Sequence, residues 1–452
     1  MTLEEIMVIG MFATFIVLLM TGYPVAWVLA GTGVIFAVIG TILVENFTTD
    51  LWFSWSSSME LVPERIWGII SSETLVALPM FIFMGVMLDH SGVAERLMNN
   101  VVKLFGGLRG GYAITVIFIG VLLAASTGIV GASVVLLGML SLPVMMKNNY
   151  SKTFAVGTAC SVGTLGILIP PSIMLVLMAD QLANPNASVG DLFMGAFLPG
   201  FLLASLYVAY VLIISWLKPE VAPAGKTEPV TFRLIIDVII AIVPTAFLIL
   251  SVLGSIFLGV ATPTEASAVG ATGAIILALF NKRLSVKTMQ ESLIQTSKTT
   301  AFIFAIFIGA TTFSVVLRGL GGDEVIEQTI LSFDLAPMLV LLLILSVVFM
   351  LGFFLDWVEI TLIILPLIAP IIEGLGFNLV WFTILFAICL QTSFITPPVG
   401  FSLFYIKGVC PPEISIVDIY KGVLPYILLQ LLAITIVIMW PPIVTWLPSI
   451  AY

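Results

Sequence analysis

The chain has 452 residues, of which 60% are hydrophobic and only 9% charged, with a mean hydropathy of +1.23 and a formal net charge of −9. Soluble domains carry roughly 25% charged residues, so lipid must solvate most of this chain, and apolar runs recur from Ile6 to Tyr452 without room for an aqueous catalytic or nucleic-acid-binding module. Three scattered cysteines, Cys160, Cys389 and Cys410, lack metal-type spacing, and a single histidine, His90, cannot supply the paired axial ligands usual in a haem-bearing membrane subunit.

The opening MTLEEIMVIGMF has no positive region ahead of its apolar run and reads as a retained helix. Apolar segments then predict spans near 6–22, 24–43, 73–90, 153–180, 192–217, 232–258, 263–280, 299–317, 378–405 and 423–446. Between the second and third spans, the extra stretch 44–60 has no assigned role, and Trp52, Trp55 and Trp67 read as interfacial anchors. Amphipathic segments 92–105, 285–297 and 322–333 are expected to lie along the interface. Two stretches, 110–146 and 335–373, are long enough for two passes but are interrupted, at Ser126 to Gly131 and at Asp356 to Glu359. Both read as re-entrant helical hairpins. The expected fold class is an all-α integral membrane protein with about ten full spans plus two hairpins.

This count places Arg96, Lys103, Arg109, Lys147, Lys152, Lys218, Lys226, Arg233, Lys282, Arg283, Lys287, Lys298, Lys407 and Lys421 on one side, which is therefore expected to be cytoplasmic. Arg65 and Arg318 lie opposite, among Glu45, Asp50, Glu60, Glu64, Asp323, Glu324 and Glu327. Both termini are then periplasmic.

The chain also repeats itself. Pro24 precedes Gly31 by seven residues, as Pro263 precedes Gly270; an amphipathic stretch, a hairpin and a proline pair follow in each case, Pro170 with Pro171 and Pro397 with Pro398. An odd number of crossings separates the two series, so residues 231–452 read as residues 1–230 turned over, with the first hairpin facing the cytoplasm and the second the periplasm. Alternating access uses such an inverted repeat, and a channel rarely needs one.

A proline pair inside a span removes two backbone donors and unwinds the helix. The freed carbonyls need a partner at membrane depth, and a dehydrated cation is one. Ser161, Thr164 and Ser172 flank the first break; Thr392, Ser393 and Thr396 flank the second. The first hairpin tip offers Ser126, Thr127 and Ser133 with Gly128 and Gly131, and the second offers Asp356, Glu359 and Thr361. Carboxylates at this depth are functional candidates by default. Hydroxyls and glycines also serve close packing in membrane helices, but packing does not require two tips and two breaks at matched spacing. The expectation is two sodium sites, each between a tip and a break, with an anion held between the tips near helix N-termini. His90 is expected to be interfacial and Glu265 to cap a helix.

The strings GTLGILIPPS at 163–172, GVATPTEASAVGA at 259–271, GFFLDWVEIT at 352–361 and ITPPVGFSLF at 395–404 resemble, in this order, the large membrane subunit of tripartite ATP-independent periplasmic (TRAP) transporters, and the resemblance covers essentially the whole chain. It implies an elevator-type, sodium-driven secondary transporter in the bacterial inner membrane. Such a transporter takes up a small organic anion from a soluble periplasmic binding protein and works with a separate small membrane subunit of about four helices; it is not an enzyme and has no cofactor beyond sodium as coupling ion. Family ligand roles map onto Ser126, Thr127, Gly128, Thr164 and Pro170, and onto Asp356, Thr396 and Pro397. Many members have Ser-Gly-Ser at the first tip, where this chain has Thr127, Gly128 and Ile129 and so lacks the second hydroxyl. The alternative within the same architecture is a stand-alone sodium:anion carrier without a binding protein.

Overall fold

A computed structural model describes residues 2–46, 53–127, 130–182, 184, 187–225 and 231–451, excluding the side chains of 124–127, 233 and 331. Among the described residues the chain is helical, without strands. The first half runs α1 (Leu3–Leu19), α2 (Val25–Asn46), α3 (Trp55–Ile70), α4 (Glu73–His90), α5 (Val93–Phe105), α6 (Gly111–Thr127), α7 (Val130–Lys147), α8 (Lys152–Gly163), a 3-10 turn (Thr164–Ile167), α9 (Ile173–Leu182) and α10 (Val189–Leu217). The second runs α11 (Phe232–Phe257), α12 (Pro263–Phe280), α13 (Val286–Gly319), α14 (Gly322–Ser332), α15 (Pro337–Leu351), α16 (Trp357–Ile363), α17 (Leu365–Gly374), α18 (Leu379–Ile395), α19 (Phe401–Val409), α20 (Ile416–Met439) and α21 (Pro442–Ala451). By length and composition, 8 of these helices can cross a membrane.

Helix starts follow local chemistry. Thr2, Ser188, Thr262 and Ser415 each close a capping box with an acidic residue three positions on, at the starts of α1, α10, α12 and α20. First-turn N–H groups have no intrahelical partner, and these side chains supply one. Glu265 is a cap, as its position suggests: its carboxylate accepts from Thr262 N at 2.8 Å. Gly92 turns α4 into α5 at φ +71°, a conformation other residues rarely adopt.

Two expectations are corrected. Residues 285–297 and 299–317 are not an interfacial helix and a separate span but parts of α13, a single helix of 34 residues. No proline or glycine interrupts it before Gly309, and at 1.5 Å per residue it is about 51 Å long, well beyond a hydrocarbon core of about 30 Å. The span expected at 423–446 is instead α20, ending at Met439, because Pro441 and Pro442 remove the donors needed to continue. The extra stretch 44–60 starts within α2 and ends within α3, which carries the exposed Trp55 and Trp67, while Trp52 lies outside the described residues. The amphipathic segments 92–105 and 322–333 form α5 and α14 close to the expected bounds.

The helices pack in two groups. α2 lies along α13 and α4 along α12, with α1, α3, α5, α11 and α14 around them; the hairpins, the broken helices, α10, α20 and α21 form the other group. Each group takes elements from both halves of the sequence, and α5·α6, α4·α9 and α13·α16 contacts join the two. The outer faces are apolar: Ile239, Val243, Phe247 and Leu250 of α11 are exposed, as expected for a helix against lipid.

α8, the first arm of a broken helix, is held against α20 at backbone distance. A methyl on Gly157 would strike the carbonyl of Gly422, and one on Gly422 the carbonyl of Thr153. Small residues allow such close approach in membrane helices. Tyr426 seals the seam through Thr158, with the hydroxyl oxygens 2.6 Å apart. Gly422→Val is expected to wedge α8 from α20 and cost about 1–3 kcal/mol, seen as a lower unfolding temperature of the purified chain.

Candidate functional site

In the first hairpin α6 ends at Thr127 and α7 begins at Val130. The side chains of Ser126 and Thr127, and all of Gly128, lie outside the described residues. Ser133 is buried in the first turns of α7. Opposite this hairpin, α8 stops at Gly163, tightens into the 3-10 turn, passes the cis Pro170–Pro171 bond and restarts as α9 at Ile173. Thr164 Oγ1 donates to Ser161 O at 2.8 Å and Ser172 Oγ to Ile167 O at 2.6 Å. A methyl on Gly163 would lie 2.7 Å from Val134 Cα and 2.9 Å from Val134 N, so this glycine lets the break rest directly on the α7 backbone.

The second half repeats this arrangement. α15 ends at Leu351, and after a short turn Asp356 caps α16, its Oδ1 accepting from Trp357 N at 2.8 Å. α17 then leaves α16 at 53°. Across from this apex, α18 stops at Ile395, Thr396 is extended, Pro397–Pro398 is cis and α19 begins at Phe401. Thr392, Ser393 and Thr396 donate their hydroxyl protons to Ile388 O, Leu390 O and Thr392 O at 2.8, 2.8 and 2.7 Å. Each of these oxygens keeps lone pairs with which it can accept. A methyl on Gly352 would collide with Ser393 Oγ, so the second apex touches the second broken helix as the first does.

The two apices meet at a cavity of about 360 Å³. Val130, Gly131, Ala132 and Val135 line it from the first hairpin, Asp356 and Trp357 from the second, and Phe394, Phe401 and Tyr405 from the second broken helix. Asp356 is the only carboxylate among these residues, and no lysine or arginine is among them. Glu359, one turn further along α16, is 1% exposed, and its Oε2 has no hydrogen-bond partner among the described residues. Two carboxylates one turn apart in a low-dielectric apex repel each other and are costly to desolvate. Thr361 Oγ1 and Ser161 Oγ are likewise buried without a partner among the described residues. Neutral oxygens and one carboxylate pair are hard donors and suit a hard cation better than a soft transition metal. Among the described residues no three His, Cys, Asp or Glu side chains gather as a metal cluster.

Asp356 and Gly131 meet at this cavity as the tip residues of the sequence reading. Ser133, Thr164, Pro170, Glu359, Thr361, Thr392, Ser393, Thr396 and Pro397 are not among its lining residues and lie in the hairpin arms and at the breaks. His90 is apart from the site: its Nδ1 lies 2.8 Å from Ser292 Oγ, joining α4 to α13. Two residues escaped sequence reasoning. Tyr405 gave no signal, being one aromatic among many. Gln391 did, as a lone amide in an otherwise apolar run ahead of Pro397; it is fully buried and donates Nε2 to Thr164 Oγ1 at 3.2 Å.

A chain of two helix groups, with paired breaks and paired hairpins meeting at one central cavity, has the fold of a membrane transporter. Its fold is similar to that of the Alcanivorax borkumensis YdaH transporter, whose crystal structure has an unusual topology, with a TM-score of 0.55 and 16% identity over 85% of this chain and 89% of that one. Residues 12–443 match the family described as the tripartite ATP-independent periplasmic transporter, DctM component, and the chain belongs to that family. Among its relatives is the C4-dicarboxylate TRAP transporter large permease protein DctM of Vibrio cholerae, 29% identical over 88% of this chain and 91% of the relative. Another is the isethionate TRAP transporter permease protein DctMQ of Oleidesulfovibrio alaskensis, 28% identical over 96% of this chain and 65% of that longer protein. These relatives are permeases, not enzymes.

The cap and the charge of Asp356 separate by mutation. Asp356→Ala removes both and is expected to cost about 1 kcal/mol of stability, the usual price of a lost N-cap; Asp356→Asn keeps the capping oxygen and relieves the repulsion with Glu359, and in sodium-free medium it is expected to unfold no lower than the unaltered chain.

Proposed function

We propose that this chain is the large membrane subunit of a sodium-coupled secondary transporter that takes up a small organic anion, a carboxylate or related acid, delivered by a periplasmic binding protein. It works in the bacterial inner membrane with a small membrane subunit of about four helices, both of its own termini being periplasmic. The observation that carries this reading is the doubled arrangement: each hairpin apex rests on its own broken helix, and both apices border one cavity. The relatives named for C4-dicarboxylate and isethionate transport, both small organic anions, support the substrate class.

In this reading each break and its apex hold one sodium ion. Ser126, Thr127, Gly128 and Thr164 ligate the first, with the freed backbone near Pro170. Asp356 and Thr396 ligate the second, with Glu359, Thr361, Thr392 and Ser393 around it and the freed backbone near Pro397. The anion lies in the cavity between them, where two bound cations offset its charge. Sodium is then required before the anion can leave water, which is the physical content of coupling. The group containing α2, α4, α12 and α13 serves as the fixed frame, and the group carrying the hairpins moves across the membrane. The two halves, 1–230 and 231–452, act as inverted repeats that make outward-facing and inward-facing states near-equivalent.

The test is uptake into proteoliposomes holding both membrane subunits, with the binding protein outside and sodium imposed, removed or replaced by potassium. Thr396→Val and Asp356→Asn are each expected to raise the half-saturating sodium concentration about tenfold, the factor corresponding to about 1.4 kcal/mol of lost ligation. An unchanged sodium titration in both variants contradicts the assignment of the second site. Uptake that persists without the binding protein marks a stand-alone carrier instead.

A further inference from the structure

Gln391 is the one side chain whose hydrogen bond ties the first broken helix to the second among the described residues of the two breaks. It is fully buried in α18, one residue before Thr392, yet its amide reaches Thr164, which is 227 residues away in the chain. The direction of this bond follows from proton counting. A threonine hydroxyl has one proton and two lone pairs, and the proton of Thr164 already goes to Ser161 O. Gln391 must therefore donate, so its Oε1 points away from Thr164, and this oxygen has no partner among the described residues. Thr164 is left with one free lone pair in a fixed direction, and Ser161 Oγ on the same turn is also buried and unpartnered. An apolar core would have been cheaper than two buried oxygens without donors, Ser161 Oγ and Gln391 Oε1.

We infer that Gln391 is the positioning residue that couples the two sodium sites: its amide orients the Thr164 hydroxyl toward the first ion while its own helix carries Thr392, Ser393 and Thr396 of the second. This rests on the sodium-coupled reading and adds to it a route between the sites. An ion at either break fixes the rotamer of the shared Thr164–Gln391 pair, so the other site is already ordered when its ion arrives. Such a shared ordering cost gives positive cooperativity.

The test is equilibrium binding of radiolabelled sodium to the purified full chain against sodium concentration, with potassium keeping ionic strength constant. The unaltered chain is expected to respond sigmoidally, with a Hill coefficient approaching about 2 for two coupled sites. Gln391→Met keeps the volume but removes the amide, and Gln391→Asn keeps an amide too short to reach Thr164. Both are expected to bring the coefficient toward about 1 and to raise the midpoint about tenfold, as for a lost buried hydrogen bond. Thr164→Val combined with Gln391→Met is expected to be no worse than Thr164→Val alone, because the amide acts through that hydroxyl. A sigmoidal response kept in both Gln391 variants, or effects that add fully in the double variant, overturns the inference while Thr396→Val still reports on the sodium site itself. A flat response in the unaltered chain removes the sodium reading and this inference with it.

Discussion

The obligation of every buried backbone group to find a partner inside lipid governs this structure. Most of the chain meets it with uninterrupted helices. At Gly163–Ile173 and Ile395–Phe401 it does not, because two proline pairs remove the donors that would continue each helix. Those breaks have to be buried in protein, and each is covered by a hairpin apex close enough that only glycine fits at the contact: Gly163 against Val134, and Gly352 against Ser393. The apices, the breaks and the cavity between them therefore form one unit.

From that unit the rest of the architecture follows. The broken helices need rigid neighbours, and α8 has one in α20, at a glycine-to-glycine contact sealed by Tyr426. The hairpins need a surface to work against, which α4 and α13 provide. α13 is long enough to pass through the hydrocarbon core and project beyond it. Its most extensive packing is on α2, α3 and α4, from the other half of the sequence.

The sequence carried most of the plan because its signals were physical constraints. Proline pairs, glycines at contact points and carboxylates in an apolar run each have few structural explanations, and the breaks and hairpins lie where those residues place them. What was not legible came from continuity and from distance. Nothing local distinguishes an interfacial helix at 285–297 from the first turns of a long α13; only the lack of a breaker before Gly309 does, and that signal is an absence. The end of α20 was readable in Pro441 and Pro442, but apolar residues on either side masked it. Tyr405 reaches the cavity only through the turn at Pro397–Pro398, and the bond from Gln391 to Thr164 spans the two halves, so neither role has a local signature.

The central claim is that each unwound stretch, together with its hairpin apex, holds a sodium ion. It is tested most directly by density maps of the chain in lipid, recorded once in sodium and once in potassium. Compact density beside Thr164 and beside Thr396 in sodium, absent in potassium, is the expected result. Maps that show neither feature in sodium, or helices running unbroken through Pro170 and Pro397, would contradict it.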